Sequence, residues 1–274
     1  MAPRHLIDAH AHFHWAGSRA DFARYNDSRL HAGEVMGITC HVASILGSWG
    51  RNSPTYFASP TDVVAGNDAM YAIAAAEPGR VRAFVHVNPN HTAHALAEIA
   101  RGVRAGAIGV KLSASRRADD ALVDAVATAA AAHGLPVLHH IWQHRQREWG
   151  GQEASDAVDL VRLAVRHPRT NFILAHIGGG GDWAHTIEVI RGVPNVYPDT
   201  SGSGVDRGML DAYLAAIGPQ RLLWAADLTL CTGLAKLQAL EVIGMPQADL
   251  DDVCWRNAVR IFPAGSFGLA GGTP

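Results

Sequence analysis

Short apolar runs alternate with longer alanine-rich stretches along almost the whole chain. The runs predict strands at Leu6–His10, Ile38–Ile45, Val81–Val87, Gly109–Leu112, Pro136–Ile141, Asn171–Ile177, Asn195–Asp199 and Arg221–Asp227. Several are continuous rather than alternating, the pattern of parallel strands covered on both faces. The stretches between them carry helical periodicity: Leu96, Ile99, Ala100 and Val103 follow one another at i, i+3, i+4 and i+7. Val63–Ala76, Ala121–His133, Ala157–His167, Trp183–Ile190, Met209–Ile217 and Leu234–Ile243 read the same way. Thr61 or Asp62 is placed to cap one helix start, and Gly106 and Gly134 stand just past two helix ends. An unbroken series of about eight β-then-α units predicts an α/β fold, a single-domain (β/α)8 TIM barrel. An open doubly wound sheet is the alternative, but no G-x-G-x-x-G follows the first strand to support nucleotide binding.

No change of composition marks a second domain, so residues 1–264 are expected to form one barrel and the Gly-rich 265–274 a poorly ordered tail. The connection from Trp15 to about Asp62, interrupted by the second strand, is expected to supply a loop over the barrel mouth. A chain of 274 residues that is 48% hydrophobic and 18% charged can bury a large core. Lys+Arg 23 against Asp+Glu 25 leaves a formal charge of −2, too little to attract nucleic acid or anionic lipid. There is no apolar signal region at the N-terminus and no run of about 18 apolar residues, so a cytoplasmic globular protein is expected. Cys40, Cys231 and Cys254 are odd in number and far apart, which fits neither a disulfide framework nor a zinc finger. The unusual feature is 16 histidines, the commonest metal ligand and the usual acid–base group near neutral pH.

Where those histidines fall gives them meaning. The first strand runs into Asp8-Ala9-His10-Ala11-His12, and side chains at i and i+2 of a strand share a face. His10 and His12 can therefore converge on one ion, although a His-x-His pair also occurs on any half-exposed strand. His14 continues the alternation beyond the strand, as a mouth residue or a bystander. The fifth strand ends in His139-His140, the sixth in His176-Ile177-Gly178-Gly179, and the eighth in Trp224-Ala225-Ala226-Asp227. In a barrel of this kind the C-terminal strand ends form the active-site face. Polar groups buried there need partners or a metal, because an unpaired one costs several kcal/mol. Asp199, Thr200 and Ser201 end the seventh strand, where they either touch substrate or cap a helix. Trp15, Trp49, Trp142 and Trp183 follow strands or sit in βα loops; they wall a flat substrate or simply pack.

This ordered set resembles the amidohydrolase superfamily, in its amidohydrolase-related (amidohydrolase 2) branch, which includes metal-dependent hydrolases, lactonases and non-oxidative decarboxylases. The motifs are Asp8-Ala9-His10-Ala11-His12, Gly109-Val110-Lys111-Leu112, Pro136-Val137-Leu138-His139-His140, His176-Ile177-Gly178-Gly179 and Leu223-Trp224-Ala225-Ala226-Asp227. Trp255–Phe262 resembles the branch's closing helix, so the likeness spans about residues 6–262. It implies His10, His12, His140 and Asp227 as ligands of a divalent ion, zinc first and manganese or another ion as alternatives. His140 rather than His139 matches the fifth-strand ligand. Asp227 and His176 are implied as the proton-transfer pair. Lys111 holds a substrate carboxylate, is carboxylated between two metals as in binuclear relatives, or pairs with an internal acid.

The expected reaction is hydrolysis of a small lactone, ester or amide by water whose pKa the ion lowers from about 15.7 toward about 7. The alternative on the same site is non-oxidative decarboxylation of an aromatic or unsaturated carboxylic acid. A barrel that binds without catalysis is the third reading, against which His176 stands as a proton-transfer group. Lys111, Trp15, Trp49 and Trp142 are the expected substrate contacts. The partner is a small molecule, with neither nucleic acid nor membrane, and any self-association is expected to be a homodimer.

Overall fold

The structure is a computed structural model that describes residues 2–15, 20–46, 57–145, 153–202, 204 and 206–269. Seven parallel strands lie side by side in chain order: β1 (Ile7–His12), β2 (Cys40–Ser44), β3 (Val81–Val87), β4 (Gly109–Leu112), β5 (Val137–His140), β6 (Phe172–Ala175) and β7 (Val196–Pro198). Eight longer helices are described: α1 (Ala20–Val35), α2 (Pro60–Ala76), α3 (Thr92–Arg104), α4 (Ala121–Ala132), α5 (Ala157–Arg166), α6 (Trp183–Ile190), α7 (Met209–Ile217) and α8 (Leu230–Ile243). None of the described helices is long and apolar enough to cross a membrane. The architecture is α/β with a curled, TIM-barrel-like parallel sheet. Its strands are sealed from water on both faces, as in Val137, Leu138, Phe172, Ile173 and Leu174, all with no exposure.

The strand expected at Arg221–Asp227 is replaced by isolated bridges, Asp199↔Leu223 on the β7 side and Ala11↔Asp227 on the β1 side. The reason lies in where its backbone donors go. The amide of Trp224 donates to Val253 O at 2.9 Å, that of Ala225 to Thr200 Oγ1 at 2.9 Å, and that of Ala226 to Asp8 Oδ1 at 2.9 Å. Side chains and the C-terminal helical segment thus take the three central donors, while those of Leu223 and Asp227 still go to Pro198 O and His10 O on the flanking strands. Asn257, in the closing helix Asn257–Ile261, holds the start of the segment by donating to Leu222 O at 2.7 Å.

A helix absent from the expected pattern, α1, occupies part of the connection after Trp15. Its inward face is polar: Asn26 and Arg29 are buried, with Arg29 bonded to Asp8 Oδ2 at 2.8 Å and to Leu228 O at 3.1 Å. A helix that buries polar residues shows no apolar stripe to read. The cap of α2 is two or three residues earlier than Thr61 or Asp62. Ser59 is the N-cap, Pro60 opens the helix and Asp62 closes a reciprocal capping box. Gly106 and Gly134 do follow α3 and α4, at φ 89° and 65°, a backbone that favours glycine. Within the expected tail, Phe267 packs its ring on Phe262 with centroids 5.6 Å apart, and residues 270–274 lie outside the described residues.

Candidate active site

The C-terminal ends of the strands surround a cavity of about 270 Å3, lined by His10, His12, Lys111, His140, Trp142, His176 and Asp227 among others. Alternation along β1 aims His10 and His12 the same way, and their Nε2 atoms stand 3.1 Å apart. Asp227 Oδ1 lies 3.3 Å from His12 Nε2 and 3.7 Å from His10 Nε2. The Lys111 ammonium donates to His10 Nε2 at 3.0 Å.

The outer nitrogens of the two imidazoles fix their protons. Nδ1 of His12 faces the Ser44 carbonyl oxygen at 3.2 Å, which can only accept, so that nitrogen carries the hydrogen. For His10, Nε2 accepts from Lys111, which leaves Nδ1 to donate to Asp199 Oδ2 at 3.0 Å. Both Nε2 atoms therefore carry their ring's lone pair and face the same space, with a carboxylate oxygen beside them; that of His10 is engaged by the Lys111 N–H, which an ion at this point would displace. Burial pushes His10 and His12 well below the ordinary imidazole range, so both are neutral at pH 7; the charge of Lys111 adds to this at His10. Converging lone pairs repel unless a cation lies among them. Ligands at about 2.1 Å around an ion sit roughly 3.0–3.4 Å from one another, which the His10–His12 and His12–Asp227 spacings match. The donor set fits a divalent ion. With an ion there, Asp199 and Ser44 would be the outer partners that orient the two imidazoles.

The expected fourth ligand is less closely placed. His140 lines the same cavity, with its ring 5.1 Å from that of His176, but it stands outside the tight group of His10, His12 and Asp227. His139 turns away from the cavity, its Nδ1 donating to its neighbour's carbonyl oxygen at 2.9 Å. His176 follows β6, its ring stacked on His10 at 5.3 Å with Nε2 3.9 Å from Asp227 Oδ2. Burial lowers its pKa to about 4 despite the pull of Asp199. Lys111 is fully buried, and burial brings its pKa to about 8 against the opposing pull of Asp227 and Asp199. Asp227 has φ 59°, a left-handed conformation that Asp tolerates better than most residues.

The tryptophans separate. Trp142 lines the cavity, its plane within 28° of the His140 ring at 6.3 Å. Trp15 instead lines a depression between α1 and α2 with Leu30 and Ile73. Trp183 opens α6 and donates to Asp206 at 3.0 Å, and Trp49 lies outside the described residues. His14 is held through its backbone by Asn26, away from the cavity.

Asp199 and Ser201 are neither substrate contacts nor mere turn residues. His176 Nδ1 donates to Ser201 Oγ at 2.6 Å, and Ser201 Oγ in turn donates to Asp199 Oδ1. Asp199 thereby holds both His10 and His176 from below. Their i, i+2 spacing beyond β7 repeats the parity of His10 and His12, which was the signal available in sequence. Lys236 of α8 donates to the carbonyl oxygens of Ser201 and Gly202 at 3.2 and 2.6 Å, fixing this turn. Gly202 has φ 85°, and a Cβ there would stand 2.8 Å from Cβ and Cγ of His176. Gly202→Ala is accordingly expected to cost about 1–3 kcal/mol of stability, measured by urea unfolding, and to displace His176.

The family model described as Amidohydrolase (Amidohydro_2) matches residues 7–264. No curated protein matches the chain. Among solved structures, 5-carboxyvanillate decarboxylase LigW from Sphingomonas paucimobilis is 20% identical with a TM-score of 0.70, over 94% of this chain and 98% of that one. A dihydroxybenzoic acid decarboxylase from Polaromonas sp. JS666, solved with bound manganese and the inhibitor 2-nitroresorcinol, is 18% identical with a TM-score of 0.70, over 95% and 97%. The 2,6-dihydroxybenzoate decarboxylase from Rhizobium is 16% identical with a TM-score of 0.71, over 95% and 98%. At these identities the likeness is one of fold. The family match over nearly the whole chain identifies this protein as a member of the amidohydrolase family.

Proposed function

We propose that this protein is a metal-dependent, non-oxidative decarboxylase of a small aromatic or unsaturated carboxylic acid. It works in a (β/α)8 barrel whose eighth strand position is filled by residues 222–227. The observation that carries the reading is the double duty of Asp227: Oδ1 faces the His10–His12 pair, while Oδ2 faces His176 across the cavity. One carboxyl group thus borders both a cation-binding cluster and a proton-transfer partner. The similar decarboxylases, one of them with manganese, support this reading over hydrolysis.

When bound, a divalent ion held by His10, His12 and Asp227, with His140 on the same wall, supplies positive charge that polarises substrate oxygens. Manganese and zinc both suit the donors. Lys111 adds a second positive charge at the cavity floor and binds the anionic carboxylate. Trp142 and His140 form a flat wall against which a ring packs. Asp227 relays a proton, received by way of His176, through Oδ2 to the carbon that bears the carboxylate. The bond from that carbon to the carboxylate breaks, its electron pair returns to the ring, and carbon dioxide leaves. His176 is neutral at pH 7 and passes a solvent proton back to Asp227.

Hydrolysis of a lactone, ester or amide, the reaction expected first from the motifs, stands as the second reading because the family is described as Amidohydrolase. It would use Asp227 or His176 to take a proton from water. A panel of hydroxybenzoates and other unsaturated acids, followed by carbon dioxide release, is expected to find a substrate. Turnover of lactones or esters with no carbon dioxide from any acid would overturn the proposal.

A further inference from the structure

A second group of histidines and carboxylates lies outside the cavity, where the β5–α5 and β6–α6 connections meet. His144, four residues beyond the end of β5, and His185, in the first turn of α6, stack their rings at 5.0 Å with 29° between planes. Nε2 of His185 is 2.8 Å from Asp156 Oδ1, and Nε2 of His144 is 2.9 Å from Asp182 Oδ2. Ligand atoms of His144, Asp156 and His185 all lie within 4.8 Å of one another. They line a depression of about 300 Å3.

The backbone is already committed to this arrangement. His144 has φ 60°, and its amide donates to Asp156 Oδ2 at 2.7 Å. Asp156 caps α5 and Asp182 caps α6. The caps hold both carboxylates in place, so binding an ion would not have to order them. Electrostatics also favours a cation. Two carboxylates contribute −2, and two helix N-termini return roughly +0.5 each, leaving about −1 beside two imidazoles. Mixed imidazole and carboxylate donors suit zinc, nickel or cobalt, whereas magnesium and calcium prefer oxygen alone.

We propose that His144, His185 and Asp156 form a second divalent transition-metal site, separate from the cavity cluster, with Asp182 beside it as a further negative charge. An ion there clips the β5–α5 connection to the start of α6. The adjacent residue Gln143 already donates from its amide to Gly179 O at 2.9 Å, and Gly179 and Trp142 both line the cavity. The clip therefore braces one wall of the substrate cavity.

The test is equilibrium dialysis of the full chain against micromolar zinc, and separately nickel, with elemental analysis. The wild type is expected to hold one more equivalent than His144→Gln/His185→Gln, with millimolar magnesium failing to displace it. Asp156→Asn keeps the α5 cap, since Asn caps as well as Asp, and is expected to weaken that equivalent about tenfold. Equal stoichiometry and affinity in wild type and Asp156→Asn, or displacement by magnesium, would overturn the site. Because the readout is a difference at these residues, it is independent of whether the cavity cluster binds metal or the chain decarboxylates anything.

Discussion

Asp227→Asn is expected to lower turnover on the order of 10²–10⁴-fold, the range for removing a positioned general acid. Asn is the informative replacement. It has the same shape, tolerates the left-handed backbone at φ 59°, and can no longer ionise or donate an acidic proton. Stability without metal should change by less than about 1 kcal/mol, because Asp227 is the most exposed member of the cluster, at 19% of its side chain. Metal content should fall as well, since one of three converging donors has lost its charge. Steady-state kinetics with elemental analysis and thermal unfolding separate these effects. Activity within about threefold of wild type would remove Asp227 from the chemistry.

Asp8→Ala is expected to destabilise the protein by about 3–5 kcal/mol, the usual consequence of leaving a buried charge without its partner. Asp8 is fully buried, with Arg29 at 2.8 Å and His41 at 3.0 Å on one oxygen and the Ala226 amide on the other. Burial alone would raise its pKa, but the bond from His41 and the charge of Arg29 outweigh that and hold the carboxyl below its ordinary value. The same side chain ties β1 to the segment that carries Asp227. Urea unfolding checks the stability. A loss under about 1 kcal/mol would mean that water replaces the carboxylate at no great cost.

The sequence made the sheet readable wherever burial was uniform. The runs at Val81–Val87 and Gly109–Leu112 reappear with the same ends as β3 and β4, and the periodicity around Leu96–Val103 lies within α3. It was least readable where polar groups are buried. In α1 the inward residues are Asn26 and Arg29, so no apolar stripe marked the helix. Residues 222–227 are apolar enough for a strand, yet the amides of 224–226 bond to Val253, Thr200 and Asp8, which no local pattern announces. In the cavity, the cluster of His10, His12, Lys111, His140, His176 and Asp227 could be foreseen because each lies toward or just beyond the C-terminal end of an apolar run. Asp199, Ser201 and Ser44 act through other side chains, and only their distances to His10, His12 and His176 reveal it. The aromatic positions were ambiguous for a different reason. Trp15 and Trp142 both follow strands, and only α1 and α2 around the first decide that it packs rather than lines the cavity.

The tethering of residues 222–227 has a further consequence. The amides of residues 224–226 are held by three distant stretches of polypeptide, whereas Asp227 is tied to β1 itself, its amide donating to His10 O at 2.7 Å. The two ends of the segment therefore respond differently to damage. Loosening the C-terminal helix, for instance at the Asn257 anchor, frees the start of the segment while its last residue stays pinned beside the imidazole pair. Drift at the far end of the chain is thus buffered before it reaches the carboxyl group in the cavity.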